Sequence, residues 1–276
     1  MSAGRAVRYR NEMNPPSRRS DLVAVVTGAS RGLGAGLAAT FAAEGIRLGL
    51  CARTRPDRPV GAEAWAASVD VADAESVDRF ARDVVERFGG IDVWVNNAGV
   101  LEPIGPLATT DPVALARHVD INFLGVAHGS ASFSRHVRSR PGGGVLINVS
   151  SGAATTPYEG WAPYCASKAA VEMLTEVVAR EERVHGLKAY ALAPGVVDTD
   201  MQALVRSTPI ENFPAGDRFR RLHLQGGLNS PEWVARFILD RLVGETGRSD
   251  EGASHEGASH PGDGVRFRVP DQRAQT

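Results

Sequence analysis

In the run APYCASKAA (162–170), Tyr164 and Lys168 stand at positions i and i+4. In a helix that spacing puts both side chains on one face, with the ammonium near the phenol. A nearby positive charge favours phenolate, so Lys168 is expected to lower a phenol pKa that is ordinarily about 10, preparing it to pass a proton. Composition sharpens the pairing: the chain has two lysines, Lys168 and Lys188, against 29 arginines, and none of Tyr9, Tyr158 and Tyr190 has a lysine four residues on. Ser150 and Ser151 end the apolar run GVLINVSS (144–151). Neighbouring strand residues face opposite sides, so at most one of these hydroxyls addresses a substrate, and a helix or turn cap is the other use of a serine there.

A second kind of chemistry is written in TGASRGLG (27–34), which follows one apolar run and opens an Ala-rich helical stretch. In that context a glycine-rich turn lets the backbone approach a pyrophosphate and aims helix N–H groups at it. Gly28, Gly32 and Gly34 have the spacing G-x-x-x-G-x-G, which differs from the G-x-G-x-x-G pattern and would also suit plain strand-to-helix packing. The candidate phosphate-side residues are Gly28, Ser30, Arg31, Gly32, Leu33 and Gly34. At the ribose end a free 2′-hydroxyl favours a carboxylate and a 2′-phosphate favours arginine. The second apolar run ends Cys51-Ala52-Arg53 with no Asp or Glu. Arg31 and Arg53 therefore point to NADP rather than NAD, although either is also one of many arginines. Arg55 and Arg58 are alternatives to Arg53.

These residues need a scaffold that brings them to one edge. Short apolar runs at 22–28, 47–53, 65–71, 91–99, 144–151, 187–195 and 265–269 alternate with amphipathic stretches, the pattern of a parallel sheet buried on both faces. The expected fold is α/β, a doubly wound, mostly parallel seven-stranded sheet in a single domain over 21–276. Helices are expected at 33–43, 74–87, 111–138 and 163–185, with Asp111-Pro112 and Ser230-Pro231 as starts. The crossover 54–64 holds two prolines and is too short for a full helix. Residues 196–229 read as irregular. Residues 1–20 read as a disordered extension and 247–264 as a flexible loop carrying the repeat EGASHEGASH, whose His255 and His260 lack the rigid surroundings of a metal site.

With 276 residues, 43% hydrophobic and a formal net charge of −1, the chain can bury a sizeable core and has no basic footprint for nucleic acid. No apolar run approaches the roughly 18 residues of a membrane span, and no secretory signal is visible. Two cysteines, Cys51 and Cys165, make neither a disulfide framework nor a zinc spacing, so a reducing cytoplasm without metal chemistry is expected.

TGASRGLG, Asp70-Val71, NNAG (96–99), Asn122, the serine pair, Tyr164-x-x-x-Lys168 and PGVVDT (194–199), in this order, resemble the short-chain dehydrogenase/reductase family over about residues 21–243. The resemblance implies a Rossmann-type sheet and an NADP(H)-dependent oxidoreductase. It makes Tyr164 the proton donor to a carbonyl, Lys168 the group that lowers the Tyr164 pKa and holds the nicotinamide ribose, Ser151 the substrate-oxygen donor, and Asn122 part of a water-linked proton path. It assigns Asp70 and Val71 to the adenine, Asn97, Ala98 and Gly99 to the adenosine ribose side, and Pro194, Gly195, Val197 and Thr199 to the nicotinamide. Ser150 is left as a structural neighbour and Asn96 as a sheet-bracing amide.

PGVVDTDMQALVR (194–206) is similar to the sepiapterin and benzil reductase branch, which implies reduction of dicarbonyls with NADPH. Tyr158, Trp161, Met201, Leu204 and Phe213 are expected to frame the substrate pocket, with packing favoured for Phe213, and such a lining suits a bulky apolar or aromatic ketone. Two alternatives stay open: an NAD-linked alcohol or hydroxysteroid dehydrogenase, and a non-catalytic NADP-binding sensor or scaffold. The resemblance also implies a homodimer or homotetramer through helices 111–138 and 163–185, with a small carbonyl or alcohol as the only other partner.

Overall fold

A computed structural model of the chain describes residues 19–244 and 265–275. The expected disordered extension lies almost wholly outside the described residues, as do the loop 247–264 and its two histidines.

Seven strands form one sheet: β1 (Val23–Thr27), β2 (Arg47–Ala52), β3 (Ala64–Ser68), β4 (Val93–Asn96), β5 (Gly144–Val149), β6 (Leu187–Ala193) and β7 (Arg266–Arg268). Their order is β3-β2-β1-β4-β5-β6-β7 and every pairing is parallel, so the order reverses between β1 and β4. Ligands of open parallel sheets bind at such a reversal, outside the carboxyl ends of the strands.

The alternation of side chains along each strand feeds two cores. Ala24 and Val26 of β1 pack with Leu37 and Phe41 of α1 (Gly32–Ala43) and Val234 of α8 (Pro231–Phe237). Val23 and Val25 pack on the other face, with Phe80 of α2 (Ala74–Phe88) and Phe133 of α4 (Gly125–Arg138). Both faces of β1 are thus dry, which is why its five residues read as an unbroken apolar run. As expected, the chain from 53 to 63 crosses from β2 to β3 without a helix.

Helix starts follow their local chemistry. Asp73 accepts from Glu75 N–H ahead of α2, and α2 ends at Gly89 with φ of 84°. Asp111 accepts from the N–H groups of Val113 and Ala114 ahead of α3 (Pro112–Val119), and Ser230 from that of Trp233 ahead of α8.

Two expectations need correction. The helix expected over 111–138 is interrupted: α3 passes into a π-helical turn, Asp120–Leu124, before α4, and Asn122 lies in that wider turn. The stretch after β6 is not wholly irregular, because α6 (Asp200–Ser207) and α7 (Gly216–Leu224) form within it. They fold there by packing Val205, Phe213 and Phe219 onto Trp161 ahead of α5 (Ala162–Glu182), a tertiary effect that short-range pattern does not carry. No helix among the described residues is long and apolar enough to cross a membrane.

Candidate active site

The turn after β1 is built around glycines for lack of room. Gly28 has a φ of 67°, and a Cβ there would come within 2.7 Å of the Ala98 Cα. A Cβ on Gly34 would lie 2.3 Å from the Gly28 carbonyl oxygen. Thr27 and Asn97 fasten this turn to the end of β4. The Thr27 hydroxyl accepts from the N–H groups of Asn97 and Ala98 at 3.0 and 3.1 Å. The Asn97 amide donates back to the carbonyls of Thr27 and Gly28 at 2.9 and 3.2 Å. The first turn of α1 has no side-chain cap, leaving its N–H groups for an anion. Ser30 is exposed and Leu33 packs against the core beneath.

On the adenosine side, Asp70 accepts from Ala72 N–H at 3.1 Å and is ion-paired to Arg117 of α3. Its carboxyl sits below the ordinary value: burial alone would raise it, but the Arg117 hydrogen bond, the Ala72 N–H and the charges of Arg117 and Arg53 outweigh that. Val71 is buried, and its carbonyl lies 2.9 Å from His128 Nδ1. Arg53 ends the rim of β2 as an exposed side chain, whereas Arg31 is turned to Asp200 at 3.4 Å, with both partners about three-quarters exposed. Arg55 lies over the Trp65 ring, 5.8 Å from its centre, and Arg58 is exposed.

Around β5 the polar groups are buried. Asn96 braces the sheet: it accepts from Trp94 Nε1 at 2.8 Å and donates to Asn148 Oδ1 at 2.9 Å. Ser150 donates to Glu172 Oε1 at 2.8 Å, and Glu172 is paired in turn with Arg266 at 3.1 Å, so Ser150 is tied into α5 and β7. Ser151 accepts from Ala153 N–H at 3.2 Å, and its hydroxyl is close enough to the Tyr164 phenol to draw the phenol pKa down. It is at once a turn cap and a neighbour of the tyrosine.

Tyr164 and Lys168 share one face of α5, with Nζ 5.6 Å from the phenol ring centre. Lys168 donates to the Val149 carbonyl at 2.8 Å. The expected lowering of the Tyr164 pKa is offset in this structure by burial. Burial pushes the phenol above its ordinary 10, against a partial lowering by the Ser151 hydrogen bond. The same burial drives Lys168 down from 10.5 to about 8. Low dielectric penalises both charged forms, and that outweighs the pairing that i,i+4 spacing suggests.

Asn122 reaches this group indirectly. Its amide donates to the Val100 carbonyl and accepts from the Val100 N–H, both at 2.8 Å. A Cβ on Gly99 would stand 3.4 Å from Asn122 Oδ1 and 3.9 Å from Lys168 Nζ, so Gly99, Asn122 and Lys168 meet at one point.

The PGVVDT segment closes the far side. Thr199 lies against Gly32, whose Cβ would be 3.3 Å from the Thr199 methyl. Gly195 has a φ of 75°, and Asn229 Nδ2 donates to the Pro194 carbonyl at 3.1 Å. Val197 bridges to Asn229, and the Asn229 carbonyl accepts from Asp198 N–H at 3.1 Å. Over Tyr164 lies an aromatic hood: Trp161 is edge-on to Tyr164 with ring centres 5.5 Å apart and stacks on Phe213 at 4.2 Å, while Tyr158 and Phe219 adjoin. Met201 and Leu204 pack against this cluster, and Phe213 is fully buried as a packing residue.

The structure thus brings Asn122, Ser151, Tyr164 and Lys168 to the same sheet edge as the glycine turn. Sequence reasoning missed Thr27, His118, Glu172 and Asn229. Only His118 had a signal, its place one helical turn before Asn122.

A family model described as short chain dehydrogenase matches residues 22–209. The benzil reductase ((S)-benzoin forming) of Bacillus cereus is 34% identical over 233 residues, 80% of this chain and 94% of that enzyme. The 3beta-hydroxysteroid dehydrogenase 1 of Eggerthella lenta is 36% identical over 76% of this chain and 82% of its own length. Among solved structures, that of the KRED1-Pglu enzyme superposes with a TM-score of 0.73 at 32% identity, covering 85% of this chain and 97% of the other.

Proposed function

The chain belongs to the short-chain dehydrogenase family and is an oxidoreductase, and from that premise we propose that it reduces bulky apolar ketones or 1,2-dicarbonyls to alcohols at the expense of NADPH. The observation that carries this reading is the buried Tyr164 phenol beside Ser151, with Lys168 on the same face of α5 and its Nζ 5.6 Å from the ring centre.

A nicotinamide dinucleotide supplies a hydride when bound, and the glycine turn, the end of β4 and the 194–199 segment, whose Thr199 lies against Gly32, are the parts that would hold it. Gly28, Gly32 and Gly34 give the backbone the close approach that a pyrophosphate needs. Arg53, with Arg31, is assigned the 2′-phosphate. Ser151 and Tyr164 both hydrogen-bond the substrate oxygen, and Tyr164 Oη gives that oxygen its proton. Tyr164 gives its proton from the neutral phenol, and the Ser151 hydroxyl works against the burial that makes the phenol a weaker acid. Lys168, largely ammonium at pH 7, stabilises negative charge developing at the phenol. Asn122 fixes the backbone beside Lys168. The aromatic hood supplies an apolar wall. Kinship to a benzil reductase supports a diketone, and the hydroxysteroid dehydrogenase relative supports a bulky alicyclic ketone as the second choice.

We extend the reading to assembly and place. Exposed Val113 and Val119 of α3, Leu124 at the end of the π turn, and Met173 and Val177 of α5 support a homodimer or homotetramer, and free Cys51 and Cys165 support the cytoplasm.

Mixing the protein with NADPH and a panel of diketones and ketones is expected to consume NADPH absorbance with benzil among the best substrates. The Tyr164→Phe protein should bind NADPH unchanged and turn over about 10²- to 10⁴-fold more slowly, the usual worth of general acid catalysis. Binding without turnover across the panel in both directions would instead assign the chain a sensor role.

A further inference from the structure

His118, at the end of α3 and one turn before Asn122, is 1% exposed and has polar partners on both ring nitrogens. Nδ1 lies 2.7 Å from the Glu102 carbonyl oxygen, which can only accept, so Nδ1 carries the proton. Nε2 lies 2.9 Å from the Asn122 amide nitrogen, which can only donate, so Nε2 presents its lone pair. The orientation of that amide is fixed independently, because its other two bonds clamp the N–H and the carbonyl of Val100. The Ser167 hydroxyl, 3.2 Å from Nε2, has one proton to give, there or to the Tyr164 carbonyl at 2.9 Å. One tautomer of a neutral ring satisfies the whole group.

We infer that neutral His118 is a positioning residue of this site: it accepts from Asn122, locks the amide that clamps Val100, and releases the clamp when it is protonated. Adding a proton at Nε2 sets N–H against N–H and leaves Asn122 without its acceptor. Turning the amide over would lose both bonds to Val100. Val100 follows Gly99, whose open face looks onto Lys168 Nζ, so the released segment is the backbone wall beside the ammonium. The titratable groups facing the ring come from α5: Lys168, and Tyr164, whose ring is edge-on at 6.3 Å between centres. On its own helix, Arg117 is turned away to Asp70, and Glu102 faces the ring through its carbonyl. Burial foremost keeps the imidazole below its ordinary 6.5, with the Lys168 charge adding to it, against the opposing pull of the Glu102 and Pro163 carbonyls. The neutral ring therefore prevails at pH 7, and the clamp opens on the acid side of 6.5.

The effect on turnover rests on the reductase function proposed above, but the clamp itself is testable without cofactor or substrate. Hydrogen exchange of the Val100 amide, corrected for intrinsic rate and read against the core amides of β1, is compared between about pH 7 and pH 5 in the wild type, His118→Gln and His118→Leu. A glutamine oxygen can take the place of Nε2 as acceptor and does not titrate. Val100 protection in the wild type should fall at least about tenfold on acidification, because the Asn122 amide that accepts from its N–H loses the bond that holds it in place. His118→Gln should hold its protection at both pH values, and His118→Leu should lack it at both. Wild-type protection that is the same at both pH values, or an equal acid loss in His118→Gln, overturns the inference. If His118→Leu fails to fold, the wild-type and glutamine comparison decides alone. In turnover assays the acid limb of kcat/KM should flatten in His118→Gln. Absence of turnover in every protein would count against the reductase function and leave the exchange result standing.

Discussion

The two ends of the sheet's carboxyl edge are built on different terms. At β1 and β4 polar groups meet polar groups: the Thr27 hydroxyl takes two N–H groups and the Asn97 amide returns two bonds to the turn. At β5 and α5 a lysine and a tyrosine are buried together beneath aromatic rings. Beside Tyr164, Trp161 Nε1 is buried with no hydrogen-bond partner among the described residues. The first region is set for binding before anything binds. The second holds its reacting groups in a medium that disfavours their charge, which costs stability and makes their interactions strong.

The sharpest way to break this contrast is Lys168→Met. The fall of the Lys168 pKa from 10.5 to about 8 is worth about 3 kcal/mol. Because the folded-state value is depressed, the group's favourable contribution is present above 10.5 and lost as pH falls through about 8. At pH 7 the ammonium is therefore a burden on the fold. The methionine protein should be more stable than the wild type by about 2 kcal/mol, once the lost bond to Val149 is set against the gain. Urea unfolding should show the gap narrowing as pH rises above 8, while turnover falls at least about a hundredfold. A methionine protein less stable at pH 7 would mean that the catalytic end is not the costly one.

Glycine substitutions sharpen the contrast from the other side. A methyl group on Gly34 must be accommodated 2.3 Å from a backbone oxygen and 2.5 Å from the Asn97 amide. Gly34→Ala should cost about 1–3 kcal/mol and at least about tenfold in dinucleotide affinity. A Cβ on Gly152, beside Ser151, meets nothing within 4 Å, so Gly152→Ala should change stability by less than about 0.5 kcal/mol. Thermal melts with and without NADPH measure both, and equal losses at the two sites would erase the distinction.

The same contrast governs what could be read in advance. The binding end was legible because its constraints are local: a glycine turn between strand and helix, and caps such as Asp111-Pro112 and Ser230-Pro231, need only neighbouring residues. That the candidate residues Tyr164 and Lys168 share one helix face was legible through their spacing. Their electrostatics were not, since the shifts of both groups come from burial, and Tyr164 is covered by Trp161 and by residues of α6 and α7 that pack on it. The π turn that carries Asn122, and the clamp of Asn122 on Val100, are likewise tertiary, and Asn229 holds the 194–198 segment from thirty residues away with nothing nearby to announce it.

The smallest expected effect tests the rim of the binding end, where the two arginines are not equivalent. Arg31 already has Asp200 at 3.4 Å, an exposed pair worth about 0–1 kcal/mol, whereas Arg53 stands at the end of β2 with its charge felt at Asp70. If Arg53 is the main ligand of a 2′-phosphate, Arg53→Ala should weaken NADPH by about tenfold, the worth of one solvent-exposed charge-assisted contact, and leave NADH unchanged. Arg31→Ala should do less, because the Arg31 guanidinium is already partly neutralised by Asp200. Fluorescence titration of both cofactors against both variants measures this. Equal losses for NADPH and NADH would move the arginine's role from the 2′ position to the pyrophosphate. No loss for either would pass the 2′ end to Arg55, the next guanidinium along the crossover, which is held over Trp65 and so is already ordered for contact.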